Sequence, residues 1–296
     1  MIEVKNLCKK YDDTTCALDQ VSFSLNNGEI CGLIGANGSG KTTLLRCMAG
    51  VCRPTSGSVE LDSRNVYSDI DVHNEIAYMP ADENRVLFET GNMKLRRLNH
   101  LYDHFSMDKF KLLNQDFHID TSSFSDHTSK GQNRKLGIML TLSKNGKLIL
   151  LDEPEDGLDS ESRHLFRKML SSEMEAGNAA ILFSSHDMDT VEKICDRIIM
   201  LKQGKVVLDC HVDFLMNQFQ KWTVISELKK QIEQLPNFYF DKAMGCLNGF
   251  YSFGNVEQNE RMLMQLSEKV TREKIHLKEI VLLMEQEAIC PGGENT

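Results

Sequence analysis

The stretch Gly35-Ala36-Asn37-Gly38-Ser39-Gly40-Lys41-Thr42 constrains this chain more than any other, because it fits the phosphate-loop pattern G-x-x-x-x-G-K-[ST]. Before it runs Ile30-Cys31-Gly32-Leu33-Ile34, short, apolar and strand-like. After it, Thr43-Leu44-Leu45-Arg46-Cys47-Met48-Ala49 reads as a helix that ends at Gly50. The glycines let backbone N–H groups turn inward around phosphate oxygens, and the helix start adds the positive end of its dipole. Gly35, Asn37, Gly38, Ser39, Gly40 and Thr43 are therefore candidate nucleotide contacts. Lys41 is placed to reach the β- and γ-phosphates, and the Thr42 hydroxyl to ligate Mg²⁺. The loop selects a nucleoside triphosphate without selecting a reaction.

A second anchor follows the apolar run Leu148-Ile149-Leu150-Leu151, which ends in Asp152-Glu153-Pro154. Carboxylates at the C-terminal end of a parallel strand project into the crevice where α/β folds bind ligands. Asp152 is the candidate holder of Mg²⁺, through water, and Glu153 the candidate base for the water attacking the γ-phosphate.

The rest of the sequence alternates short apolar runs with helical patterns. Strand-like runs cover 2–5, 21–25, 58–61, 76–79 and 180–183, with a hairpin over 198–208 that turns at Gln203-Gly204. Residues 93–117 read as mostly helical, with Leu95, Leu98, Leu101 and Tyr102 near one face, and 160–176 as a helix stopped by Gly177. That alternation predicts an α/β core with helices on a largely parallel sheet. The chain has 296 residues and a net charge of −9, which argues against nucleic acid as a partner. No apolar run reaches the ~18 residues of a membrane span, and residues 1–5 carry no targeting pattern. Nine cysteines are scattered without metal-finger spacing, as expected of reduced thiols in the cytosol.

Four further stretches, with the two anchors, resemble the ATP-binding cassette (ABC) family. Thr128-Ser129-Lys130-Gly131-Gln132 is similar to its signature L-S-G-G-Q: Ser129, Gly131 and Gln132 match, while Thr128 and Lys130 depart. Gly157-Leu158-Asp159 resembles the D-loop, Ser184-Ser185-His186 the switch histidine, and Tyr11 the aromatic residue that stacks on adenine. Each also has a plainer reading of less weight: Tyr11 as a core aromatic, His186 as a satisfied core histidine, and Ser129 with Gly131 as a helix N-cap turn. The family expects a Gln after the strand ending near Pro80; here Ala81 stands there, followed by Asp82-Glu83-Asn84 as possible substitutes.

The resemblance implies a phosphate-loop ABC ATPase core over residues 1–210, with an antiparallel β subdomain and a helical subdomain at about 85–140. It implies ATP and Mg²⁺ as cofactors, Glu153 and His186 as catalytic residues, Ser129, Gly131 and Gln132 as contacts to nucleotide across a dimer, and Asp159 as a further nucleotide-binding residue. It also implies separate transmembrane permease subunits and a homodimer or heterodimer of ABC ATPases, placed peripherally on the cytoplasmic face of the cell membrane. The text around Tyr102-Asp103-His104-Phe105 and Lys109-Phe110 resembles ATPases of bacterial ABC-2 type exporters, whose membrane subunits are separate chains. Lys94, Arg96 and Arg97 fit either a membrane-subunit contact or a solvated charged face. Two other readings are a non-transport ABC ATPase and a catalytically silent heterodimer partner; the second predicts loss of Glu153, His186 or the signature, all of which are present.

Residues 211–296 change character and read as a small α+β accessory domain. Its expected elements are a strand at 222–225, a helix at 226–234, strands near 238–240 and 250–253, and two closing helices. Leu277, Ile280, Val281 and Met284 form the apolar face of the last one, before a disordered tail at 291–296. The domain is expected to serve dimer contact or regulation, not ATP chemistry.

Overall fold

The computed structural model describes every residue except 13–14, 82–88, 124–127, 178, 226–228, 236, 245–246, 268 and 286–296. By its internal contacts the chain divides into Met1–Asp209 and the residues from Cys210 onward.

The first unit is built on a central sheet. Its strands are β3 (Ile30–Ile34), β6 (Ile76–Met79), β7 (Leu148–Leu151), β8 (Ala180–Ser184), β9 (Arg197–Lys202) and β10 (Lys205–His211), in the order β10-β9-β3-β8-β7-β6. The pairs β3–β8, β3–β9, β7–β8 and β6–β7 are parallel. β3, β7 and β8 are buried at every position, which explains their unbroken apolar runs: both faces are covered. On one face Cys31, Leu33, Leu148, Leu150, Ala180 and Leu182 join the core formed with α1 (Lys41–Met48) and an antiparallel sheet. That sheet has the order β2-β1-β4-β5, from β1 (Ile2–Lys10), β2 (Cys16–Leu25), β4 (Ser56–Leu61) and β5 (Arg64–Asn65). The other face carries α5 (Ser160–Ala176), whose Phe166 meets Phe183 of β8 edge-on at 6.2 Å. Helix α6 (Met188–Ile194) follows β8.

The parallel arrangement puts the C-terminal ends of β3, β7 and β8 side by side, where all three candidate motifs begin. Helix α1 starts at Lys41, two residues earlier than its apolar pattern predicts, so the phosphate-loop lysine and threonine already belong to its first turn. The 93–117 pattern is two helices, α2 (Gly91–Leu101) and α3 (Met107–Phe117), not one. Ser106 makes the break: its hydroxyl accepts the N–H of Lys109 at 3.1 Å and caps a new helix. Of the expected apolar face Leu95 is buried, but Leu101 is 56% exposed. Helix α4 (Lys130–Leu142) completes the helical part among the described residues, and the expected boundary near 85 and the substitutes Asp82-Glu83-Asn84 lie outside those residues.

In the second unit, α7 (Val212–Gln218) precedes a sheet of order β12-β13-β11-β14. Its strands are β11 (Phe219–Ile225), β12 (Phe238–Met244), β13 (Leu247–Phe253) and β14 (Lys269–Glu273). Trp222, Val224, Phe238 and Phe250 form its core with Ile232 of α8 (Lys229–Glu233) and Leu263 of α9 (Val256–Leu266). A buried polar cluster is fully paired: Trp222 Nε1 donates to Ser252 Oγ at 2.8 Å, and Ser252 Oγ donates to Gln220 Oε1 at 2.8 Å. Helix α10 (Leu277–Glu285) buries Leu277, Ile280, Val281 and Met284, the four residues of its sequence pattern. The described cysteines are free thiols; Cys246, Cys290 and the tail lie outside the described residues. No helix among the described residues is long and apolar enough to cross a membrane.

Candidate nucleotide site

The loop between β3 and α1 can be made only with glycine at its two ends. Gly35 has φ 141° and a Cβ there would lie 2.2 Å from the Leu201 carbonyl oxygen; Gly40 has φ 112° and a Cβ would meet the Ala17 carbonyl at 2.6 Å. Gly204, in the β9–β10 turn, donates its N–H to Ser39 O at 2.9 Å and braces the loop from behind. Helix α1 has Gly40 as N-cap and no side-chain cap, which leaves its first N–H groups for an anion. The Lys41 ammonium is buried and donates to Gly35 O at 2.8 Å and Ala36 O at 3.3 Å.

A cleft of about 550 Å³ opens on this loop. Asn37, Gly38 and Gly40 to Thr43 line one wall; Glu153, Glu155, Asp156 and His186 line the other, with Arg163 and Ser185. Gly35 and Ser39 form the back of the loop, and the Ser39 hydroxyl is buried without a hydrogen-bond partner. Tyr11 is 54% exposed, and its hydroxyl lies 3.3 Å from Thr43 Oγ1, at the edge of the same loop.

The acidic side is organised by Ser184, at the end of β8. Its hydroxyl donates to Asp152 Oδ1 at 2.7 Å and accepts the N–H of Glu153 at 2.8 Å. Asp152 is fully buried, and its Oδ2 has no hydrogen-bond partner. A buried carboxylate oxygen left unpaired costs free energy unless a cation or donor meets it, so the free Asp152 Oδ2 fits a ligand to a hard divalent cation. Glu153 holds a left-handed backbone, φ 49°, that turns its side chain to the cleft, where Oε1 lies 2.9 Å from His186 Nε2. Burial pushes the Glu153 carboxyl above its ordinary range; His186 and Lys41 oppose that, and Asp152 and Asp156 add to it.

Sequence patterns did not single out Ser184 for itself, Glu155 or Arg163. Glu155 is buried and accepts from Thr190 Oγ1 at 2.7 Å and Ser185 Oγ at 3.3 Å, which ties the acidic loop to the segment bearing His186. Burial raises its pKa against those two hydrogen bonds. The only sequence signal for Ser184 was a polar residue at the end of an apolar strand.

The signature residues are not part of the lining of this cleft. Ser129 is exposed and caps α4: its hydroxyl accepts the Gln132 N–H at 3.2 Å, and Gln132 Oε1 accepts the Ser129 N–H at 3.1 Å. Gly131 sits against the Gly157 carbonyl, which a Cβ would approach to 2.9 Å. Asp159 caps α5, accepting the Ser162 hydroxyl at 2.7 Å and the Ser162 N–H at 2.8 Å, and these two hydrogen bonds, the hydroxyl first, lower its pKa. Ser129, Gly131, Gln132 and Asp159 are absent from the lining of the cleft.

Fold and cleft together define a phosphate-loop nucleoside triphosphatase. The ABC transporter family matches residues 18–156. An uncharacterised ABC transporter ATP-binding protein of Methanocaldococcus jannaschii is 33% identical over 214 residues, 70% of this chain and 76% of the relative. The ABC transporter ATP-binding protein YtrB of Bacillus subtilis is 30% identical over 221 residues, 75% of each chain. The methionine import ATP-binding protein MetN of Bartonella henselae is 28% identical over 257 residues, 80% of this chain and 72% of the relative. Among solved structures, an ATP-binding subunit of an ABC transporter superposes with TM-score 0.66 at 29% identity, covering 73% of this chain and 92% of that one. An ATP-binding cassette solved as a dimer in a post-hydrolysis state with ADP and Pi gives 0.64 at 25% identity, covering 72% and 99%. The chain belongs to the ATP-binding subunits of ABC transporters, and it is an ATPase of that family.

Proposed function

We propose that this ATPase drives export through separate permease subunits at the cytoplasmic face of a membrane, as one half of a homodimer or heterodimer of cassettes. The observation that carries the ATPase chemistry is the convergence of Lys41, Thr42, Glu153 and His186 on one cleft, with the unpaired Asp152 Oδ2 behind it.

In this reading the backbone from Gly35 to Thr43 cradles the phosphates. Lys41 exchanges the carbonyls of Gly35 and Ala36 for β- and γ-phosphate oxygens. Tyr11 stacks on adenine at the rim. Asp152 and Thr42 hold Mg²⁺, which when bound neutralises charge on the phosphate oxygens. Glu153 accepts the proton of the attacking water, and His186 fixes the Glu153 carboxylate through their 2.9 Å contact. Ser129, Gly131, Gln132 and Asp159 serve the nucleotide of the partner cassette, which accounts for their absence from the lining of their own chain's cleft. ATP then closes the dimer through contacts that need the γ-phosphate, and hydrolysis releases them.

Export is supported by the resemblance of the sequence from Tyr102 to Phe110 to ABC-2 type exporters, and by Lys130 in the signature, a departure that resembles many bacterial exporters of the family. The methionine import relative favours a second reading, import. ATP-driven substrate movement in sealed vesicles of known orientation, carrying the copurified membrane subunit, decides the direction. The catalytic assignment is tested by Glu153→Gln, expected to bind ATP as the parent does and to hydrolyse it at least ~10²-fold more slowly. Parental turnover in that variant would remove Glu153 from the mechanism.

A further inference from the structure

We propose that Arg134 is a positioning residue for hydrolysis, holding the turn that begins at Glu153 in fixed relation to the loop that leaves β6. The inference rests on the role given to Glu153.

Arg134 lies one turn into α4 and is 3% exposed. Its guanidinium makes contacts to three backbone carbonyls on two loops. NH2 donates to Ala81 O at 2.6 Å, NH1 to Pro80 O at 3.2 Å, and Nε to Asp156 O at 3.4 Å. Pro80 and Ala81 are the first residues beyond β6. Asp156 closes a turn on Glu153, its N–H donating to Glu153 O at 3.1 Å. A hold on the Asp156 carbonyl is therefore a hold on the turn that aims Glu153 into the cleft.

That turn needs holding. Glu153 sits at φ 49°, a left-handed state that a non-glycine residue keeps only when its surroundings over-determine it. Two more contacts from the same helix end press on the same loop. Lys130 Nζ lies 2.6 Å from Asp156 Oδ2, and Gly131 leaves no room for a Cβ beside the Gly157 carbonyl. These reach only the loop after β7. Arg134 alone among the three also takes the carbonyls after β6, and the methyl of Ala81 cannot make the link from the other side. A planar fork with donors in fixed directions can span two loops, whereas a lysine ammonium offers its donors from one point. Of the three contacts, Arg134 is the one that ties α4 to both loops at once, so a shift of the helix moves the Glu153 turn and the Pro80–Ala81 segment together.

The test uses the full chain with Arg134→Lys and Arg134→Ala, measuring steady-state ATP hydrolysis and thermal unfolding. Arg134→Lys is expected to fold and to lose ~10-fold or more in kcat, the scale of a slightly misplaced catalytic group, with KM for ATP within ~2-fold of the parent. Millimolar guanidinium ion is expected to restore part of the kcat lost in Arg134→Ala. Parental kcat in Arg134→Lys overturns the inference. So does a kcat loss matched by a rise in KM, absence of guanidinium rescue in a folded Arg134→Ala, or failure of both variants to fold, which would make the arginine a structural staple only. If Arg134→Ala alone fails to fold, the kcat and KM of Arg134→Lys decide. A parent protein without ATP turnover would instead defeat the functional reading itself.

Discussion

His186 Nε2 lies 2.9 Å from Glu153 Oε1, so the segment after β8 and the segment after β7 meet in one close ion-pair contact at the cleft. The contact has an electrostatic consequence. Burial raises the Glu153 carboxyl, and the positive charge His186 can carry is the largest influence pulling it back. The acid limb of kcat/KM against pH is therefore expected above the ~4.3 of an unperturbed glutamate. Removing the imidazole with His186→Ala takes away a lowering influence, so the limb of the residual activity moves to higher pH. A limb at the same pH in both proteins would contradict the coupling.

The same shift affects stability. With its folded pKa above its unfolded one, Glu153 binds its proton more tightly in the native state. Its stabilising contribution is complete below ~4.3 and is lost as pH rises through the folded value. Above that value the ionised carboxylate opposes folding. Glu153→Gln has no charge to bury, so its Tm should exceed the parent's at pH 8, with the gap shrinking towards pH 4. Calorimetry at both pH values checks this; a gap that grows on acidification would reverse the sign.

Ser184 orients both carboxylates at once, through Asp152 Oδ1 and the Glu153 N–H. Ser184→Ala leaves a buried acceptor and a donor unmet, at about 1–3 kcal/mol each. Loss of orientation at Asp152 should weaken ATP binding with Mg²⁺ far more than ATP binding without it. Titration calorimetry in both conditions measures the difference, and an unchanged Mg²⁺ effect would show that Ser184 does not set the cation site.

The nucleotide site was legible from sequence because its parts are local. A loop between a strand and a helix, and an acidic pair after an apolar strand, need only their neighbours to be placed. Contacts between distant segments were not legible. The pairing of Ser184 with Asp152, or of Arg134 with Pro80 and Ala81, depends on which strand ends the sheet brings together. Polar edge elements were missed for a related reason: β14, Lys-Val-Thr-Arg-Glu, has a single aliphatic residue and exists through its register against β11, with Val270 opposite Val224. The helix break at Ser106 was hidden because the hydrophobic pattern runs on past it, with Leu112 64% exposed on the far side.

The residues from Cys210 onward form their own compact unit with a separate core. We expect ATP chemistry to be independent of it. A chain ended at residue 211, after β10, should bind ATP within ~3-fold of the parent, since one small energetic change of this size lies below 1 kcal/mol. Loss of binding in a truncated chain that still folds would show that the second unit completes the site.

The central claim is that one chain supplies the phosphate loop and acidic pair while its partner supplies the start of α4. Sedimentation of Glu153→Gln with ATP and Mg²⁺, alone and combined with Ser129→Arg, tests it most directly. Glu153→Gln should sediment as an ATP-dependent dimer. Adding Ser129→Arg, which places bulk and charge at an exposed helix start outside the cleft, should leave monomer affinity for ATP unchanged and hold the protein as a monomer. A stable ATP-dependent dimer of the double variant would contradict the shared site.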